Sequence, residues 1–312
     1  MQNFHNILFV SHAIGDESGS LMQALSVARN NRAPVKVVVV CPDLPEEFGE
    51  YKRVYMDALS ERVRESVKNV LGSLKLGEDE LEVDIEVDCG STPAERVIHR
   101  VQRDDYDLVV KSVEGKKQRA GFKAMDMELL RKCPCPVWLC RPAKHSPGDI
   151  RVAVAVDPDC KEPNSYDLAI RLLRLSHSLA DSCSDELHII SCWDYDVDAY
   201  LRRNFPINVS DEQLNRATES ARSKHRSKLD VLINAAGIGD VLDIHHAIAR
   251  PDRFIPLVIE EKKIDLLVMG TVGRTGIPGF IMGNTAENIL QKISCSLLAL
   301  KPRGYVSPVK VY

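Results

Sequence analysis

The residues with the densest chemical signal lie between positions 265 and 287. An apolar run, Leu266 to Met269, ends in Gly270; Gly273 follows, and Gly283 leads into Asn284 and Thr285 ahead of a helix-like stretch. Glycine at those places lets backbone N–H groups approach a polyanion with no Cβ in the way. The small polar pair adds amide and hydroxyl donors where a helix dipole already favours phosphate. The chemistry expected is nucleotide-phosphate binding at the carboxyl end of a strand. The spacing Gly-x2-Gly-x9-Gly is neither a Walker loop, which ends in Gly-Lys-Ser/Thr, nor the dinucleotide fingerprint Gly-x-Gly-x-x-Gly. A glycine-rich surface loop is the competing reading of the same residues.

Other reactive residues are sparser. Cys133 and Cys135 are spaced like part of a metal site, but no second pair stands at ligand spacing, and structural cysteines are expected. His245 and His246 are adjacent on a strand and so face opposite sides, which argues against a metal pair. No nucleophile elbow, carboxylate dyad or metalloprotease motif occurs. No catalytic residue and no metal ligand is therefore assigned.

The chain repeats itself. Asp107-Leu108-Val109-Val110 matches Asp265-Leu266-Leu267-Val268, Gly115 matches Gly273, and Pro93 matches Pro251. Cys135-Pro136-Val137 corresponds to Cys295-Ser296-Leu297, and Ile7-Leu8-Phe9-Val10 to Val152-Ala153-Val154-Ala155. Two units of about 150 residues, each near ordinary domain size, are implied. The expected domains are 1–142 and 150–302, joined by a linker at 143–149 and followed by a tail at 303–312.

Short apolar runs alternate with longer amphipathic ones. Strands are predicted at 6–11, 34–41, 81–89, 107–112 and 136–141, then at 150–156, 186–193, 240–246, 265–270 and 296–301. Helices are predicted at 18–31, 51–75, 92–103 and 124–132, then at 164–181, 210–236, 251–262 and 284–293. Val35 to Val40 is almost continuously apolar, as a strand covered on both faces should be. This alternation predicts an α/β fold with parallel sheets. Ligands of such sheets sit beyond the carboxyl ends of strands, where Gly270 and Asp157 fall.

Composition narrows the classes. With 41 basic and 45 acidic residues and a formal charge of -4, no electrostatic footprint for nucleic acid appears. No apolar run is long enough to span a bilayer, and Met1 to His5 opens no secretion signal. The nine cysteines are scattered, and Cys41, Cys140 and Cys192 lie in apolar strand-like runs. That usage suits buried thiols in a reducing compartment, so a cytoplasmic location is expected.

The Gly270, Gly273, Gly283 spacing with Asn284 and Thr285 resembles the ATP-binding signature of the universal stress protein family. Leu130 to Trp138, with Cys133-Pro134-Cys135-Pro136, looks like the bacterial E-type tandem members. The resemblance covers nearly the whole chain. It implies two tandem five-stranded parallel-sheet domains, Rossmann-like and similar to adenine nucleotide alpha-hydrolases, paired through their last strands as an intramolecular pseudo-dimer. A further homodimer is compatible with it. It implies ATP or ADP, with Mg²⁺, in the second domain. Asp157 takes the position that hydrogen-bonds adenine, though Asp157-Pro158 is also a common turn starter. Cys192 lies near the residue whose backbone meets the adenine edge, and an ordinary strand cysteine explains it equally. Met269, Gly270, Gly273 and Gly283 match the strand end and loop. Asn284 replaces a usual hydroxyl residue, Thr285 follows, and Arg274 is placed to neutralise phosphate or to be solvated.

The first copy departs from the signature. Ser112 stands for Gly270, Glu114 precedes Gly115, Lys123 stands for Gly283, and His12 replaces the adenine aspartate. Lys111, Lys116, Lys117 and Arg119 leave that segment basic. The expected function is stress-response regulation with nucleotide in the second copy. A slow ATPase or a nucleotide-independent interaction scaffold are the alternatives.

Overall fold

Strands that are apolar at successive positions must be covered on both faces, and the computed structural model covers them with helices. It describes residues 4–77, 79–113, 122–145, 149–160, 162–183, 186–193, 210–239, 242–271 and 282–310. The strands are β1 (Ile7–Ser11), β2 (Val35–Cys41), β3 (Val83–Cys89), β4 (Leu108–Ser112), β5 (Val137–Cys140), β6 (Val152–Ala155), β7 (Leu187–Trp193), β8 (Leu242–Ile248), β9 (Leu266–Gly270) and β10 (Ser296–Leu300). The helices are α1 (Ser18–Asn31), α2 (Lys52–Ser73), α3 (Pro93–Arg103), α4 (Ala124–Lys132), α5 (Pro163–Asp181), α6 (Asp211–Ala236), α7 (Pro251–Glu261) and α8 (Asn284–Leu290). Local chemistry sets the boundaries. Ser210 Oγ accepts from the Gln213 N–H and Gln213 Oε1 accepts from the Ser210 N–H, a reciprocal cap that starts α6. Gly237, at φ 66°, ends the same helix in the left-handed conformation.

One compact unit comprises the described residues of Gln2–Pro142 and Ser294–Tyr312. Its strands run β3-β2-β1-β4-β5-β10; the first five are parallel and β10 is antiparallel to β5. Val137 faces Ala299, Trp138 faces Leu298 and Leu139 faces Leu297. Tyr305, Ser307 and Val309 are buried, so the segment beyond β10 also packs. The other unit comprises the described residues of Ala143–Gly276 and Met282–Ile293. It holds the parallel strands β9-β6-β7-β8. The expected five strands in each half thus become six and four. Pairing β10 with β5 satisfies the N–H and C=O groups that β5 would otherwise leave as an open edge.

Two readings of single residues change. Cys41 and Cys89 stand opposite each other in the β2–β3 register and are bonded as a disulfide. Cys41 is therefore not the buried thiol its apolar run suggested. Lys111, expected in a basic loop, is fully buried on β4, and its Nζ lies 2.9 Å from Asp126 Oδ1, also fully buried. Asp126 sits in the first turn of α4 and accepts from the Lys123 backbone N–H. Lys116, Lys117 and Arg119 lie outside the described residues.

Removing one partner of a buried ion pair leaves an uncompensated charge and costs about 3–5 kcal/mol, whereas replacing both is often neutral. Lys111→Met is therefore expected to destabilise the protein by that amount in urea unfolding. The double variant Lys111→Met/Asp126→Ala, which installs the second copy's Met269 and Ala286, should recover most of the loss. A single variant as stable as the parent would remove this pair from the core's energetics.

Candidate functional site

The parallel register of β6 and β9 pairs Ala155 with Met269, so the carboxyl ends of these strands finish side by side. Of the candidate residues, Asp157 stands two positions past β6 and Gly270 is the last residue of β9. Asp157 Oδ1 accepts the Asp159 N–H at 2.9 Å, and the Cys160 thiol donates to the Asp157 carbonyl at 2.9 Å. The turn expected at Asp157-Pro158 is thus formed. Polar atoms of Asp157, Asp159 and His225 lie within 4.8 Å of one another. Lys228 is ion-paired to Asp159.

Met269 is buried, and Gly270 closes β9 against α5. A Cβ on Gly270 would meet Leu168 Cδ2 at 3.1 Å and Leu172 Cδ1 at 3.9 Å. A side chain here would push Leu168 back by a few tenths of an ångström, so the glycine suits the close helix–strand packing. Gly283 caps α8, and its N–H donates to the Thr271 carbonyl at 3.3 Å. The second described end of the loop is thereby fastened back onto the end of β9. Asn284 and Thr285 open α8, where the first N–H groups have no intrahelical acceptor. Gly273 and Arg274 lie outside the described residues. Cys192, next to last on β7, is buried and paired in register with Ala247; burial pushes its thiol up to about 12.

Sequence reasoning missed two features here. Thr271 is buried, and its Oγ1 has no hydrogen-bond partner among the described residues. A polar residue directly after the strand glycine was the available signal. Next, Trp193 at the end of β7 stacks on His225 of α6 with ring centroids 4.0 Å apart. His246 completes the group, 4.9 Å from Trp193 and 5.1 Å from His225 between centroids. Nothing in the spacing of residues 193, 225 and 246 announces this cluster.

The two adjacent histidines do face opposite sides, but each meets another imidazole. His246 Nε2 lies 2.9 Å from His225 Nδ1, and His245 Nε2 lies 3.2 Å from His188 Nδ1. Burial holds His188, His245 and His246 below the ordinary histidine range. Cys133 and Cys135 are buried with their sulfurs 3.6 Å apart. Lys301 donates to the Cys133 carbonyl and lies under the Tyr305 ring. Among the described residues, neither cysteine joins a group of three metal-ligand side chains.

At the matching end of the first copy, Glu17 fills the corner. Its carboxylate accepts from the Ser11 hydroxyl and from the His12 N–H. The buried Asp126 carboxylate occupies the first turn of α4, which corresponds to α8. Glu114 and Gly115 lie outside the described residues.

Burial, followed by the neighbouring His246, lowers His225 to about 4. The ordinary value is about 6.5, so the unfolded chain takes up this proton first. The contribution of neutral His225 to stability is complete above about pH 6.5 and is lost as pH falls toward 4, by up to about 1.4 kcal/mol per unit. His225→Phe keeps a ring against Trp193 and should flatten the stability profile across that window. Urea unfolding at several pH values measures this; an unchanged slope would assign the titration elsewhere.

The model of the Universal stress protein family matches residues 5–141 and again 151–301. Universal stress protein E of Photorhabdus laumondii is 27% identical, with 99% of each chain covered. Universal stress protein E of Escherichia coli K12 is 26% identical, over 100% of this chain and 98% of its own. A crystal structure of a putative universal stress protein from Pseudomonas aeruginosa superposes with a TM-score of 0.70 at 21% identity, covering 96% of this chain and 94% of that one. One from Archaeoglobus fulgidus gives 0.63 at 17% identity, covering 96% and 98%. The doubled match accounts for the internal repeat read from the residues alone: the chain is a tandem member of the universal stress protein family.

Proposed function

We propose that this protein is a stress-response regulator that binds ATP or ADP, with Mg²⁺, in its second copy. Family membership supports the stress-response role. The observation that carries the nucleotide reading is the Gly283–Thr271 hydrogen bond. It ties both described ends of the glycine loop to the carboxyl end of β9, beside β6 and Asp157. The residues present suit such a ligand. Thr271 Oγ1 is a buried hydroxyl lacking a partner among the described residues, and the first amides of α8 have no intrahelical acceptor. A carboxylate has about four acceptor sites, and Asp157 would lend one of them to an adenine amine. Asn284 and Thr285, with the loop amides around Gly273, would hold the phosphates, and Arg274 would balance their charge. Cys192 would offer its backbone to the base. Mg²⁺ would neutralise the phosphate oxygens.

The first copy is expected to bind no ATP. The Asp126 carboxylate occupies the helix start that a phosphate needs, and Glu17 stands at the end of β1.

Calorimetry with ATP and Mg²⁺ is expected to give one nucleotide per chain. Gly273→Asp sets a carboxylate against phosphate and should weaken binding more than about tenfold, or 1.4 kcal/mol. Asp157→Ala should weaken ATP while leaving inorganic triphosphate unchanged. Two equivalent nucleotides per chain, or full affinity in a folded Gly273→Asp protein, would overturn the assignment. Absence of any nucleotide binding would favour the scaffold reading.

A further inference from the structure

The opposite end of the second sheet carries a separate cluster. His188 is paired in register with Asp243, and His245 follows Asp243 by two positions, so all three side chains share one face of β7 and β8. His188 Nδ1, His245 Nε2 and Asp243 Oδ2 form a near-equilateral triangle with edges of 3.2, 3.3 and 3.3 Å. A tetrahedral zinc ion with bonds of about 2.0–2.1 Å holds its ligand atoms about 3.3–3.4 Å apart. The three atoms are already at that spacing.

Among the neutral tautomers, one arrangement satisfies the triangle without a metal ion. If His245 Nε2–H donates to His188 Nδ1, the His188 lone pair is left facing the Asp243 oxygen. The reverse arrangement leaves the His245 lone pair facing it. If both imidazoles donate to Asp243, the 3.2 Å nitrogen–nitrogen edge has no bond. The first two arrangements each set a lone pair against a carboxylate beside the buried His188, which is costly, and the third satisfies every group but sets two N–H donors 3.2 Å apart. A metal ion would instead use all three atoms as electron-pair donors, at the spacing they already have.

The first copy shows how the same place is closed by the chain's own charge. There Lys36 is paired in register with Asp84, and Glu86 follows by two. Lys36 Nζ lies 2.5 Å from Asp84 Oδ2 and 3.2 Å from Glu86 Oε2, while Arg100 meets Glu86 at 2.6 Å. In the second copy the lysine and glutamate are replaced by His188 and His245, which are electron-pair donors. Lys262, just beyond α7, holds Asp243 Oδ2 at 3.0 Å, as carboxylates that bind metals are held by an outer hydrogen bond. Glu186, exposed at the start of β7, adds a further negative charge nearby.

We propose that His188, Asp243 and His245 form a site for a divalent first-row transition ion, with Zn²⁺ the best-fitting occupant and one coordination position open to water. Two imidazoles and one carboxylate with an open position are a donor set that suits zinc and ferrous iron. The site is independent of the nucleotide, which would bind at the other ends of the strands.

The test uses the full chain, stripped with a chelator and titrated with Zn²⁺ alone in nucleotide-free buffer. One Zn²⁺ per chain is expected. His245→Ala and the near-isosteric Asp243→Asn should each weaken binding by at least about 100-fold, more than the 10–100-fold typical of an outer-shell change such as Lys262→Met. Cys133→Ser and His225→Phe should leave the Zn²⁺ affinity unchanged; they test the cysteine pair and the Asp157 cluster as rival sites. Circular dichroism confirms that each variant is folded before titration. No Zn²⁺ uptake, undiminished uptake by a folded Asp243→Asn protein, or loss of uptake with His225→Phe would each overturn the proposal.

Discussion

A parallel sheet covered on both faces has no room for chemistry in its middle, and this constraint arranges everything else in the molecule. β1, β2 and β7 are buried at nearly every position, so polar function is driven to the carboxyl ends and to the outermost strands. β3 and β8 are the strands half-exposed along their length, and they carry the alternating charges Asp84, Glu86, Asp88 and Asp243 with His245. An ionisable group found deeper than that has to bring its own counter-charge, as Lys111 does with Asp126.

The two copies use one backbone plan with different charges. In the first, Glu17, Asp126 with Lys111, and Lys36 with Asp84 and Glu86 satisfy the strand ends and the outer strand from within. In the second, Met269, Ala286, His188 and His245 occupy corresponding places without a fixed charge of their own, and Lys262 meets Asp243 from beyond α7. The difference lies in which side chains fill equivalent places, since the elements around them are laid out alike.

The strand and helix pattern was legible because it depends on local periodicity: Val35 to Val40 admits hardly any other reading, and Ser210 with Gln213 marks a helix start in four residues. The loop glycines were legible as a spacing, but their individual reasons were not. Gly270 answers to Leu168, about a hundred positions earlier in the chain, and no local rule connects the two. Lys111 looked like part of a basic loop because its neighbours in sequence are basic; its partner Asp126 emerges only when α4 folds back on β4. In the sequence His245 and His246 are only neighbours along one strand, whereas each interacts with a residue from another element. Contacts between elements are the information that periodicity lacks.

The placement of β10 has a consequence for biosynthesis. Arg141, just past β5, and Ser296, which opens β10, are hydrogen-bonded across 155 residues of sequence. At ribosomal rates of about 5–20 residues per second, that gap corresponds to roughly 8–30 s of translation. Throughout that interval the first sheet has emerged with β5 lacking the neighbour that covers its hydrogen-bonding edge. The nascent chain therefore offers a sticky strand to other chains until nearly all of the second copy has been made. A ribosome stalled within the second copy would hold that edge open, making the first unit a substrate for chaperones although its own strands β1 to β5 are complete.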